Sequence, residues 1–177
     1  SFIRERLAGN LREQGYTAQE VDAVLNSSYL SKLILNDIVK RLVAVRAFMA
    51  LPEAASLAAA NKRVGNILKK ARTEGFDILS LEELFLHLQS DSQGPVEREL
   101  YNALIEISQK TNRALHEDDY VTFLQEQAAL KLPIDNFFDH VMVNVEDKGL
   151  RNRRLTLLQN LYDLMNRIAD LSKLAVN

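Results

Sequence analysis

The sequence predicts an all-α fold. Three observations indicate it: few helix breakers, with only six glycines and three prolines in 177 residues; recognisable helix start and stop signals; and apolar residues that recur every three or four positions. Only residues 141–145 alternate like a strand, and without a second strand to pair with, we expect them to end a helix. From these signals we count eight or nine helices, arranged as a helical bundle.

Helix starts are marked most clearly by two capping boxes, at residues 17–20 and 80–83. In each, a Thr or Ser is followed three residues later by Glu, so that the two side chains accept hydrogen bonds from each other's backbone N–H. Gly15 is expected to end a first helix, from Phe2 to Gln14, in the left-handed conformation. The prolines suit the first turn of a helix: Pro52, Pro95 and Pro133.

The longest apolar stripe lies near the end of the chain. Its members are Leu150, Leu157, Leu158, Leu161, Leu164, Met165, Ile168 and Leu171. With Asp147 as N-cap, this stripe predicts one helix from about residue 147 to residue 174, packed along the domain. A second stripe, from Leu30 to Val45, predicts an earlier helix.

Composition and length limit the possible classes of protein. The 177 residues predict one domain, in which we distinguish an N-terminal helical part at about 1–52 from a core at about 53–177. Because the chain begins with Ser1, we expect a piece of a longer polypeptide. No apolar run approaches the ~18–20 residues that cross a bilayer, and zero cysteines fit a reducing compartment. We therefore expect a cytoplasmic protein without membrane contact.

The sequence contains no recognisable catalytic or metal-binding motif. The three histidines, His87, His116 and His140, have no metal ligands at helical spacing, and no phosphate-binding glycine loop or nucleophile elbow is present. We therefore expect no enzymatic activity from this chain by itself.

Positive charge is concentrated in residues 58–72, which hold five basic residues and no acid, although the formal net charge is −2. On a helix, one face of this stretch is apolar and the other carries the residues that we call the basic strip: Lys62, Arg63, Asn66, Lys69 and Lys70. Basic side chains bind phosphates, and an amide or guanidinium can recognise the edge of an unstacked base. The alternative is an ordinary solvated helix face.

A second basic cluster comprises Arg151, Arg153 and Arg154, after Lys148. Arg154 and also Asn61 fall on the apolar sides of their helices, so each either has an internal partner or lines a pocket. For Arg154, the internal partner considered is Asp135 or Asp139.

Several sequence blocks, in this order, strongly resemble the C-terminal end of bacterial glycyl-tRNA synthetase beta subunits, and the second half resembles anticodon-binding domains of the DALR type. The blocks are Gly15–Thr17, Val21–Leu25, Ala47–Phe48, Ala58–Leu68, Pro133–Val143, Glu146–Asp147, Leu150–Arg151 and Arg154–Leu155. Residues 73–94 depart from the family pattern and look like a variable connection. At a separate position, Arg153 adds a base next to Asn152, where the family more often has an apolar or amide residue.

The resemblance implies a non-catalytic, all-helical tRNA anticodon-binding domain that recognises glycine tRNA. Its partners would be that tRNA, the remainder of the beta subunit and the catalytic alpha subunit, but not DNA. The domain itself would need no cofactor, whereas the complete enzyme would use ATP and Mg²⁺. The competing hypothesis is a helical module for protein–protein interaction in subunit assembly.

The resemblance also gives roles to individual residues. We expect tRNA contacts from Asn61, Lys62, Arg63, Asn66, Lys69, Lys70, Arg151, Arg153 and Arg154. Because glycine anticodons end in two cytosines, groups that fit the cytosine edge are needed, and Arg63 and Asn66 are the first candidates. Phe137, Phe138 and Tyr162 are possible stacking surfaces, although we expect two of the three to pack in the core.

Overall fold

The computed structural model describes residues 2–28, 35–90 and 94–176, which form nine α-helices, two 3₁₀-helices and no strand. The all-α prediction is therefore confirmed. The helices are α1 (Phe2–Glu13), α2 (Ala18–Leu25), α3 (Leu35–Met49), α4 (Ala54–Glu74), α5 (Leu81–Ser90), α6 (Pro95–His116), α7 (Tyr120–Glu126), η1 (Gln127–Leu130), α8 (Lys131–His140), α9 (Lys148–Met165) and η2 (Leu171–Leu174).

The helix starts predicted from the two capping boxes, Pro95 and Pro133 are confirmed, whereas Pro52 lies in the turn before α4 and not in its first turn. The Thr17 side chain accepts from the Glu20 N–H at 3.1 Å while the Glu20 carboxylate accepts from the Thr17 N–H at 2.7 Å. Ser80 and Glu83 form the second box with bonds of 2.8 and 3.2 Å. Gly15 ends α1 with φ +92°. Local sequence thus determines where these helices begin and end.

The core is built around α9, whose apolar stripe is buried against α4 on one side and α6 on the other. Leu157, Leu158 and Leu161 are fully buried there. Of the earlier stripe, Ile38 and Val45 are buried in α3, and Leu30, Leu33 and Ile34 lie outside the described residues.

Among the helices described, none alone is long and apolar enough to cross a membrane. Helices α3 and α4 together have the length and composition of a membrane span, but the pair is bent by 111°.

The predicted single helix from 147 to 174 is wrong in its second half. Asp147 does cap α9, accepting from the Leu150 N–H at 2.8 Å, but α9 ends at Met165. The next residue, Asn166, is buried, and its side-chain oxygen accepts from the Leu171 N–H at 2.9 Å. This bond turns the chain into η2, so the apolar stripe continues into the core without a continuous helix.

The N-terminal helices pack on the rest of the chain through polar contacts as well as apolar ones. Arg41 donates to the backbone oxygen of Ile168 at 2.8 Å, and the Tyr120 hydroxyl donates to Asp37 at 2.7 Å. These bonds join α3 to α7 and to the segment that follows α9. The division of the domain near residue 52 remains a prediction.

Helices α4 and α9 approach each other closely at Gly65. A Cβ atom added at this glycine would lie 3.1 Å from a ring carbon of Tyr162. Because that distance is shorter than ordinary van der Waals contact, the absence of a side chain permits the close packing of the two helices. The two helices that carry the predicted site residues are thus held side by side.

Candidate nucleic-acid interface

A groove of about 310 Å³ separates the second half of α4 from the segment after α8 and the start of α9. Its apolar lining comprises Ile67, Ala71, Phe138, Val141, Met142, Val143 and Leu155. Its charged lining comprises Arg63, Lys70, Glu74 and Arg151. We call this feature the basic groove, because three cations and one carboxylate give its lining a formal charge of +2 in a chain of net charge −2.

The basic strip faces solvent as predicted. Lys62, Arg63, Asn66, Lys69 and Lys70 are all exposed along α4, whereas Leu57, Val64 and Leu68 on the opposite face are buried. Arg63 and Lys70 also line the basic groove, so the strip continues into it. A chain of cations therefore leads from the outer face of α4 to the apolar floor of the groove.

The guanidinium of Arg63 lies over an aromatic ring of the groove lining. Its guanidinium carbon is 4.0 Å from the ring centroid of Phe138, a cation–π distance. Phe138 is half-buried and lines the groove, while its neighbour Phe137 is fully buried, with the two rings edge to face at 5.5 Å. Tyr162 packs against Gly65 instead. Phe138 is thus the aromatic that the groove places next to a cation.

Arg151 enters the groove from α9 and meets Glu74, the last residue of α4. Its Nη2 donates to Glu74 Oε2 at 2.7 Å, and Lys70 Nζ lies 4.0 Å from the other carboxylate oxygen. Glu74 is not among the contacts predicted from the sequence. The only local signal was its i, i+4 spacing from Lys70, whereas the Arg151 contact spans 77 residues.

Asn61 was predicted to contact tRNA, but it lies in the interior of this structure, where a ligand cannot reach it. It is fully buried, and its amide exchanges two hydrogen bonds with Asn166, of 3.0 and 3.1 Å. The physical reason is the helical position noted above, on the apolar side of α4. Asn61 ties α4 to the end of α9.

Arg153 is also inside the protein, and Arg154 nearly so. Both donate to the carboxylate of Glu97, at 2.8 and 2.7 Å, and the Glu97 side chain is 2% exposed. Arg154 therefore has an internal partner, which was one of the two possibilities considered from the sequence. That partner is Glu97, and not Asp135 or Asp139. A buried carboxylate that holds two guanidinium groups leaves them little freedom to contact RNA.

Arg154 has a further role at the groove. Its Nη1 donates to the backbone oxygen of Met142 at 2.6 Å, and Met142 is part of the groove wall. Glu97 thereby fixes this wall through Arg154. Of the nine predicted contacts, six remain at the surface or in the groove: Lys62, Arg63, Asn66, Lys69, Lys70 and Arg151.

The described part of the chain has no group of three His, Asp or Glu side chains placed to hold a metal ion. Instead, the groove combines apolar walls, an aromatic ring and cations. Apolar and aromatic surfaces accept the faces of unstacked bases, and cations accept phosphates. This combination is typical of a site for single-stranded nucleic acid.

Comparison with known proteins gives similar relatives over nearly the whole chain. The glycine–tRNA ligase beta subunit of Nitrosomonas europaea is 55% identical over 174 residues, that of Leptothrix cholodnii 52% over 174 residues and that of Thiobacillus denitrificans 50% over 177 residues. Each alignment covers 98% of this chain and 23% of the relative. The chain thus spans about a quarter of the length of these curated relatives.

A family model points to the same conclusion. The model described as "DALR anticodon binding domain" matches residues 57–174, well over half of the chain, and this range contains the basic strip, Phe138 and Arg151. The resemblance seen in the sequence is thereby confirmed. The chain belongs to the DALR anticodon-binding domain family.

Proposed function

We propose that this domain binds the anticodon loop of a glycine tRNA in its basic groove, as a non-catalytic part of a glycine–tRNA ligase. The observation that carries the proposal is the convergence of Arg63 and Lys70 from α4 with Arg151 from α9 around one apolar groove. Family membership supports anticodon RNA as the class of ligand, and the names of the relatives, glycine–tRNA ligase beta subunits, support glycine as the amino acid.

The two parts of the site would bind different parts of the RNA. Lys62, Lys69 and Lys70 of the basic strip would contact backbone phosphates, which contribute affinity but carry no sequence information. Arg63 and Asn66 of the same strip are proposed to contact bases. The groove would accept an unstacked base, since 310 Å³ is at the lower end of the ~300–1,000 Å³ usual for small-ligand sites. The six residues still accessible are the proposed contacts, and Asn61, Arg153 and Arg154 are proposed to hold the site in shape.

The proposal includes partners beyond the RNA. The remainder of the beta subunit and a catalytic alpha subunit would complete the ligase, and ATP and Mg²⁺ would be used there and not in this domain. A cytoplasmic location and the absence of membrane and DNA partners belong to the same proposal.

Titration of the 177-residue chain with glycine tRNA tests the proposal. We expect binding that weakens as salt rises, and weaker binding of a tRNA that differs only in its anticodon. Equal binding of both tRNAs would contradict anticodon recognition, and no binding at low salt would contradict RNA binding by the domain.

A second candidate function is supported by the surface of α5. This helix buries Leu84 and Leu88 but exposes Leu81, Phe85 and Leu86. Exposed apolar side chains on one helix are typical of a protein–protein contact. We therefore assign the protein–protein interaction hypothesis to α5, which would contact another part of the ligase. Replacing Phe85 and Leu86 by Ser should abolish assembly with the alpha subunit and leave tRNA binding unchanged if this function is correct.

A further inference from the structure

We propose that Glu74, oriented by Arg151, is the residue that makes the basic groove specific for an unpaired cytosine. This inference rests on the proposed function, since it names the base that the same groove accepts. Glu74 supplies the only carboxylate among the described residues of the groove lining. Its side chain is 40% exposed, so it remains accessible to a ligand.

Neither helix formation nor RNA affinity explains an acid at this position. Glu74 is the last residue of α4, where the partial negative charge of the helix C-terminus disfavours a carboxylate. Its ion pair with Arg151 is partly exposed, and such pairs contribute little to stability. In a groove that binds a polyanion, a negative charge also repels phosphate. A role in base selection would explain why the groove contains a carboxylate although it is unfavourable at the helix end and repels phosphate.

The chemistry of the pair matches the Watson–Crick edge of cytosine. The carboxylate of Glu74 is a pure acceptor, and the adjacent guanidinium of Arg151 is a pure donor. Cytosine offers an amino donor beside two acceptors, so its amino group fits Glu74 and its acceptors fit Arg151. Uracil bound in the same position would turn a carbonyl oxygen towards the carboxylate, which repels it.

The groove also provides surfaces for the faces of the base. Ile67 and Leu155 give apolar walls from α4 and α9, and Arg63 lies over the ring of Phe138. Glycine codons begin with two guanines, so the matching anticodon contains two cytosines. An unpaired cytosine is therefore the base that the glycine assignment requires and that the Glu74–Arg151 pair fits.

The substitution Glu74→Gln tests the inference because its amide can present either a donor or an acceptor and keeps an oxygen for Arg151. The probes are glycine anticodon stem-loops with cytosine or uracil at each of the two positions, measured by fluorescence anisotropy at fixed salt. For one position, we expect the parent to prefer cytosine by about 5- to 150-fold, which corresponds to about 1–3 kcal/mol. We expect Glu74→Gln to remove most of this preference, chiefly by binding the uracil RNA more tightly.

The matched control is Glu117→Gln. Glu117 accepts from Arg113 at 2.9 Å on the exposed end of α6, so its replacement changes the net charge equally but lies outside the groove lining. This variant should keep the parent preference. If Glu74→Gln also keeps it, or weakens both RNAs equally, cytosine recognition by Glu74 is overturned while the proposed function stands. If the parent binds neither RNA, both the proposed function and this inference are overturned.

Discussion

Asn61 and Asn166 exchange two side-chain hydrogen bonds in the core, of 3.0 and 3.1 Å, across 105 residues of sequence. The pair links the middle of α4 to the residue that ends α9. Asn166 also accepts from the Leu171 N–H. One polar pair therefore sets both the relative position of two helices and the end of one of them.

Replacing Asn61 by Ala should destabilise the domain by about 1–3 kcal/mol. Asn166 would lose the two hydrogen bonds to Asn61 and keep those to Leu171 and Tyr162, so one amide hydrogen would be left without an acceptor in the core. Urea denaturation followed by circular dichroism measures this difference. The control is Asn66→Ala on the exposed face of the same helix, where surface substitutions usually change stability by about 0.5 kcal/mol or less. Equal stability of the two variants would show that the buried pair contributes nothing.

A larger loss is expected at Glu97. Its side chain is 2% exposed and holds both Arg153 and Arg154. Glu97→Ala removes the buried carboxylate that these two guanidinium groups share and should cost about 3–5 kcal/mol. Glu106→Ala, on the exposed side of α6, serves as the control in the same denaturation experiment. A cost below about 1 kcal/mol would place Glu97 with ordinary surface ion pairs.

The pH dependence of stability should include a contribution from Glu20. Hydrogen bonds from Arg46, at 2.9 and 3.0 Å, hold the pKa of Glu20 below its usual value of 4.5, against the opposing effect of burial. A lowered folded-state pKa contributes stability that is present above the unfolded value and lost as pH falls through the folded value. The urea concentration at the midpoint of denaturation should therefore decrease as the pH is lowered below about 4.5.

Two variants isolate this contribution. In Glu20→Gln, and in Arg46→Met, which removes the hydrogen-bond donor, the decline of stability between neutral pH and pH 3 should be shallower than in the parent. Parallel curves for all three proteins would mean that other carboxylates account for the acid dependence.

The basic strip makes a prediction about salt. If Lys62, Lys69 and Lys70 contact phosphates, replacing all three by Gln should weaken binding of any tRNA, whatever its anticodon. It should also reduce the slope of log K against log salt by about 2, since each single-strand phosphate contributes about 0.7. Lys40, Lys110 and Lys173, which lie outside α4 in exposed ion pairs, provide a matched triple substitution. An unchanged slope in the α4 variant would identify the strip as a solvated helix face.

The sequence was sufficient for features determined by neighbouring residues. The capping boxes at Thr17 and Ser80, the left-handed Gly15 and the outward face of the basic strip all follow from spacings of a few residues, and all are confirmed. The polar position of Asn61 on an apolar helix face also signalled an unusual contact, although its partner could not be identified.

Features that depend on distant partners could not be predicted in this way. The burial of Arg153 has no local signal in the sequence, because Glu97, which binds it, lies 56 residues earlier. The end of α9 was placed too late because Ile168 and Leu171 continue the apolar spacing after Asn166 has ended the helix. Glu74 was overlooked because its contact with Arg151 arises only when α4 and α9 pack together.

Photocrosslinking identifies which nucleotides of the tRNA lie in the basic groove. A photocrosslinking amino acid placed at Met142, a groove-lining residue that is 72% exposed, would be irradiated in complex with glycine tRNA. The control position is Leu132, which is 73% exposed and outside the groove lining. If the groove binds the anticodon loop, we expect crosslinks from position 142 to anticodon nucleotides, competed by unlabelled glycine tRNA, and none from position 132. Crosslinks from position 142 only to the acceptor stem, or to no RNA although the complex forms, would contradict it.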